Sequence, residues 1–181
     1  MPSEEFLKHL LTHSVKRGDF ILKSGARSTW FLDTKQTACR GEGMLLIAKA
    51  ALALIPMEAT AIGGLTMGAD PVAYGIAAVG ATQGRFLRSF SIRKEEKDHG
   101  MGGRIAGALQ TGDKVVITED TATRGSSALD AARAVREFGA DPILILALVD
   151  RGGTARALAE AEGIRFAALA TAEDLSFPFG S

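Results

Sequence analysis

Apolar residues recur at Phe6, Leu7, Leu10, Leu11 and Val15, a spacing that puts side chains on one side of a helix. Residues 4 to 16 are therefore predicted to form an amphipathic helix whose apolar stripe needs a partner. The period then changes to two. GDFILKSGARSTWFLDTK, residues 18 to 35, alternates polar and apolar positions around a Ser-Gly pair and reads as a small antiparallel hairpin. From residue 41 helix-like and strand-like runs follow one another: a helix at about 42 to 55, the strand ATAIGGL and a helix from Pro71. Then come the strand FLRSFSI, the glycine-rich HGMGGRIAG, the strand KVVITED, a helix at about 126 to 138, the strand PILILALV, a short helix at 154 to 162 and a last strand, IRFAALA.

Strands alternating with helices of this length imply parallel pairing, because parallel neighbours need crossover connections and helices make them. PILILALV is apolar at every position, as suits a strand covered on both faces. The predicted fold class is α/β, a central parallel sheet flanked by helices. A chain of 181 residues is sized for one well-filled core, and it shows no internal repeat, linker or low-complexity segment. Residues 1–181 are read as one domain, to which residues 1–40 contribute the first helix and the hairpin.

Composition narrows the function. Lys plus Arg equals Asp plus Glu at 21 each, so no overall field holds nucleic acid or an anionic membrane, and an anionic ligand must be captured locally. Cys39 is the one cysteine, which excludes internal disulfides and cysteine-based zinc clusters and fits a reducing compartment; a buried bystander thiol is expected. The N-terminal MPSEEFLKHLLTHSV carries acids and no uninterrupted apolar run, unlike a secretory signal or a mitochondrial presequence. No apolar stretch is long enough to span a bilayer, so the expected location is the cytoplasm.

The chemistry concentrates in KVVITEDTATRGSSALDAARAV, residues 114 to 135, where an apolar strand meets two acids, a short polar turn and a helix. In an open parallel sheet ligands bind beyond the carboxyl ends of the strands, which is where Thr121 to Ser127 should lie. The helix start supplies unpaired N–H groups and partial positive charge for a phosphate. Gly125 permits close backbone approach, and Thr123, Ser126 and Ser127 add hydroxyls. There is no Gly-Lys-Ser/Thr ending and no G-x-G-x-x-G after a strand, so ATPase and dinucleotide readings lose their support. Glu119 and Asp120 would repel a bare phosphate, whereas a phosphorylated ribose offers them hydroxyls. The plain alternative is that the acids and Ser126 merely cap the helix.

ITEDTATRGSS resembles the signature with which type I phosphoribosyltransferases bind 5-phosphoribosyl 1-diphosphate (PRPP), and IRKEEKDHGMGGRIAG, residues 92 to 107, resembles the R-K-x-x-K-D-H-G loop of the orotate phosphoribosyltransferase family. The likeness continues through FILKSGARSTWFLD, IGGLTMGADP and LVDR, so it spans most of the chain. It implies the type I phosphoribosyltransferase fold with a small N-terminal hood, transfer of phosphoribose from PRPP to orotate, and Mg²⁺ as cofactor. The metal is expected mainly on PRPP oxygens, with Glu119 and Asp120 the nearest carboxylates.

By the same resemblance PRPP is bound by Arg93, Lys94, Lys97, His99, Glu119, Asp120, Thr121, Ala122, Thr123, Arg124, Gly125, Ser126 and Ser127, with Lys97, His99 and Asp120 catalytic. Arg104 adds a further donor to the basic loop. Lys23, Phe31, Thr123 and Arg151 map to the orotate side; taken singly, Lys23 also reads as a surface charge, Phe31 as core and Arg151 as a strand-end ion pair. In the family the basic loop reaches into a neighbouring subunit's site, which implies a homodimer with shared active sites. GGLTMGAD, residues 63 to 70, resembles the diphosphate-binding turn, with Met67 where some members carry lysine. Two rivals remain: a phosphoribosyltransferase for another base, against which the basic loop argues, and a PRPP-sensing regulator that binds nucleic acid, against which the balanced charge argues.

Overall fold

In the computed structural model, which describes residues 1–21, 25, 27–95 and 103–178, helix α1 spans Glu4–His13. Ser3 caps it by accepting the Phe6 N–H at 3.2 Å. The helix is shorter than the expected 4 to 16, because Val15 pairs with Leu32 as the chain enters strand β1 (Val15–Ile21). The Ser14 side chain is buried and hydrogen-bonded to Thr37 at 2.7 Å. Strand β2 (Arg27–Leu32) completes the antiparallel hairpin, with Ser28, Trp30 and Leu32 inward and Thr29 and Phe31 outward. A single turn of helix, α2 (Lys35–Ala38), leads to α3 (Gly41–Leu54). Cys39 ends α2 and is exposed, contrary to the expectation of burial: its N–H turns inward to the Lys35 carbonyl, while the side chain faces out.

The main sheet has six strands. Their chain order is β3 (Ala61–Leu65), β4 (Arg88–Ile92), β5 (Ile105–Gly107), β6 (Lys114–Ala122), β7 (Asp141–Asp150) and β8 (Arg165–Thr171), and their spatial order is β5-β4-β3-β6-β7-β8. All pairings are parallel except β4 with β5, a short antiparallel edge that the glycine-rich pattern of residues 99 to 107 did not suggest. The crossovers are α4 (Asp70–Thr82), α5 (Ser126–Glu137) and α6 (Ala155–Ala161), close to their predicted bounds.

The period of two in β7 divides the core. Leu144, Leu146 and Leu148 face α1, α3, α4 and Trp30 of the hairpin, whereas Ile145 and Ala147 face α5 and α6. The hairpin thus shares one hydrophobic cluster with the sheet. The chain's final described segment joins that cluster through Leu175 and Phe177, and the Phe177 ring stacks on Trp30 at 4.1 Å and 5°.

Chain direction across the sheet reverses between β3 and β6: β4 follows to one side, β7 and β8 to the other. That switch point opens a crevice between the carboxyl ends of β3 and β6, the place where a sheet of this kind binds ligands.

Candidate active site

Two turns meet at the crevice. From β3 the chain runs through Thr66 to Ala69 into α4; from β6 it runs through Thr123 to Gly125 into α5. Thr121 and Ala122, expected in the second turn, are the last residues of β6, so the acids Glu119 and Asp120 lie on the strand and point from a rigid element.

Gly125 stands at the N-cap of α5 with φ 80°, and no side chain caps the helix. This removes the plain reading in which Ser126 or the acids are spent on capping. A β-carbon on Gly125 would lie 2.7 Å from the Ala155 backbone, so the position demands glycine twice, by conformation and by space. Thr123, Arg124, Ser126 and Ser127 are exposed around it, while Ala122 is buried. The β7–α6 segment braces the loop from behind. The Arg151 N–H donates to the Ala122 carbonyl at 2.9 Å, the Ala155 N–H to Thr123 at 3.1 Å and the Thr154 hydroxyl to Arg124 at 3.0 Å. With its carbonyls turned back onto the protein, the loop presents N–H groups and hydroxyls outward, as an anion requires.

The two acids differ. Burial, with the Asp120 charge added, pushes the Glu119 carboxyl up to about 8, so it is mostly protonated at neutral pH and can donate a hydrogen bond. Asp120 instead accepts from the Lys35 ammonium at 2.9 Å. Its carboxyl group rests on Gly68 of the β3 turn, where a β-carbon would come within 2.8 Å. Burial works against the Lys35 charge, but the Asp120 hydrogen bond and charge, together with Asp33 at 3.4 Å, outweigh it and hold Lys35 above the ordinary lysine value. Sequence alone does not single out Lys35: four residues of helix give no periodic signal, and its partner stands 85 positions away.

On the other side of the loop Arg151, just past the end of β7, is buried. Its guanidinium lies over the Trp30 ring at 4.0 Å and reaches the Ser28 hydroxyl at 3.4 Å, and burial lowers its pKa. Phe31 is 40% exposed, which excludes the core reading and leaves its ring available, with Phe20 beside it at 5.6 Å. Arg93 is half-buried and Lys94 exposed where β4 ends. Arg104 is engaged elsewhere than expected: it clamps Asp130 of α5 with both terminal nitrogens, at 3.0 and 2.6 Å, and donates to the Arg93 carbonyl at 2.9 Å. Lys23, Lys97 and His99 lie outside the described residues.

No family model matches the chain. An orotate phosphoribosyltransferase of Synechocystis sp. is 39% identical over 173 residues, covering 94% of this chain and 87% of the relative. One from Aquifex aeolicus is 42% identical over 165 residues, covering 89% and 90%. The crystal structure of Mycobacterium tuberculosis H37Rv orotate phosphoribosyltransferase in complex with PRPP superposes with a TM-score of 0.80 at 31% identity, covering 96% of this chain and 98% of that one. Switch-point crevice, acid pair and braced anion loop on this sheet define a type I phosphoribosyltransferase. Within that class, the chain belongs to the orotate phosphoribosyltransferase family.

Proposed function

We propose that the chain transfers the 5-phosphoribosyl group of PRPP to orotate, forming orotidine 5′-monophosphate and diphosphate in pyrimidine nucleotide synthesis. The braced loop between β6 and α5 carries this reading, because it sets an anion site beside two acids in different surroundings, Glu119 buried and Asp120 paired with Lys35. The 5′-phosphate sits on Thr123 to Ser127. Asp120 accepts one ribose hydroxyl, and protonated Glu119 donates to another oxygen. Orotate packs against Phe31 with its carboxylate toward Arg151 and Lys23. Fixing both reactants removes most of the entropic cost of their meeting.

Displacement at ribose C1 makes the sugar cation-like while diphosphate gathers negative charge, so catalysis consists of stabilising separated charge. Arg93, Lys94, Lys97 and His99 serve the diphosphate, the last two from the loop of a partner subunit in a homodimer. With Glu119 holding its proton, Asp120 is the one carboxylate of the pair left to face Mg²⁺, which fits an ion carried largely on substrate oxygens; when bound, the ion would neutralise charge on the leaving group. Among the described residues no helix is long and apolar enough to cross a membrane, and the proposed location is the cytoplasm.

Purified protein mixed with orotate, PRPP and Mg²⁺ should consume orotate, read by its absorbance, and leave adenine, hypoxanthine and uracil untouched. Conversion of a purine instead, or PRPP binding without any conversion, would overturn the reading.

A further inference from the structure

Lys35 lies in none of the motifs that carry the family likeness, yet its ammonium reaches the acid pair. It shares one oxygen with the β3 turn: Asp120 Oδ2 is 2.9 Å from Lys35 Nζ and 2.8 Å from the point where a β-carbon on Gly68 would lie. That turn, Thr66 to Ala69, contains no lysine or arginine, and Met67 at its tip is 73% exposed. A surface meant to receive a departing diphosphate therefore lacks a cation of its own, and a lysine from a separate element stands beside it.

A merely structural ion pair explains this poorly. The Lys35 side chain is 43% exposed, and pairs so open to water add little to folding. Lysine does suit an exchange of partners: a flexible stem carries three N–H donors that can keep Asp120 and turn toward an incoming anion. Asp33, two residues before Lys35 and just outside that turn of helix, restrains the stem from the hood side.

We infer that Lys35 is a diphosphate-binding residue of this chain, supplying beside Gly68 the cation that Met67 does not, and that it holds Asp120 against the turn until PRPP arrives. The inference rests on the PRPP-site reading above.

Isothermal titration with Mg²⁺ diphosphate and with PRPP tests it on wild-type protein, Lys35→Met, Lys35→Arg and the double variant Lys35→Met/Met67→Lys, each checked for an unchanged circular dichroism spectrum and melting temperature. Lys35→Met should weaken diphosphate at least tenfold and raise the KM for PRPP while leaving the KM for orotate in place. Lys35→Arg should keep most of the affinity, and the second-site Met67→Lys should restore diphosphate binding to within a few-fold of wild type. Undiminished binding by Lys35→Met would overturn the inference alone, and so would a loss that Met67→Lys does not repair, which would leave Lys35 as a support for Asp120. Wild-type protein that binds neither ligand would instead overturn the PRPP-site reading, and the inference with it.

Discussion

Arg104 grips Asp130 through both carboxylate oxygens and so ties the start of β5 to α5, the helix whose N-terminus forms the proposed anion site. The Arg104 hydrogen bond, helped by its charge and that of Arg133 and opposed by burial, holds the Asp130 carboxyl below the usual range. A depressed carboxylate contributes stability that is present above its unfolded value, near pH 4, and is lost as pH falls through the folded one. Asp130→Asn should therefore flatten the acid limb of a melting-temperature profile. At pH 7 the loss should stay below about 1 kcal/mol, because the pair is partly exposed, while kcat/KM for PRPP drops several-fold as the root of the basic loop loosens.

Glu119 gives the opposite slope. In the folded chain it keeps its proton to about pH 8, whereas unfolded it ionises near 4.5, so the native state binds more protons across that window and stability declines as pH rises. Glu119→Gln should remove this decline, worth at most about 1.4 kcal/mol per pH unit, and denaturant melts at pH 5, 6.5 and 8 would show it. Because the proposed role uses the neutral form at pH 7, Glu119→Gln should retain far more activity there than Asp120→Asn. Equal losses in the two variants would refute the division of roles.

Two glycines should fail in different ways. At Gly125 an added methyl meets the Ala155 backbone and needs a left-handed φ of 80°, so Gly125→Ala should cost stability, about 1–3 kcal/mol, along with PRPP binding. At Gly68 the atoms nearest the same methyl are those of the Asp120 carboxyl group, which can swing aside. Gly68→Ala should melt close to wild type and lose turnover. Thermal unfolding beside steady-state kinetics separates the two.

The proposed homodimer with shared sites predicts complementation. Lys97→Ala and Asp120→Asn should each fold and each be nearly inactive. Mixed and allowed to exchange subunits, they should recover about a quarter of wild-type activity, since half of a random dimer population pairs the two lesions and leaves one of its two sites whole. No recovery despite exchange would argue for sites built within one subunit.

Much of this architecture follows from periodicity alone. The unbroken apolar run in β7 and the acid-rich end of β6 led to the parallel sheet and to the loop at its carboxyl edge. What escaped was short or distant. β5 is three residues of Ile-Ala-Gly whose pairing depends on β4 beside it, and α1 is shorter than its apolar stripe because Val15 fits the stripe but pairs with Leu32. Lys35 and Arg104 have meaning only through partners on other elements, Asp120 and Asp130, which no local pattern encodes.

The stack on Trp30 gives the molecule an optical reporter. Arg151 at 4.0 Å and Phe177 at 4.1 Å must occupy opposite faces of the ring, and Arg17 lies beyond Phe177 at 4.7 Å. Trp30 is the chain's single tryptophan, so emission excited at its absorption edge comes from one indole, held between the proposed orotate contact and the last described segment. Any ligand that draws Arg151 away, or any trimming that removes Phe177, changes that indole's surroundings and is visible without a label.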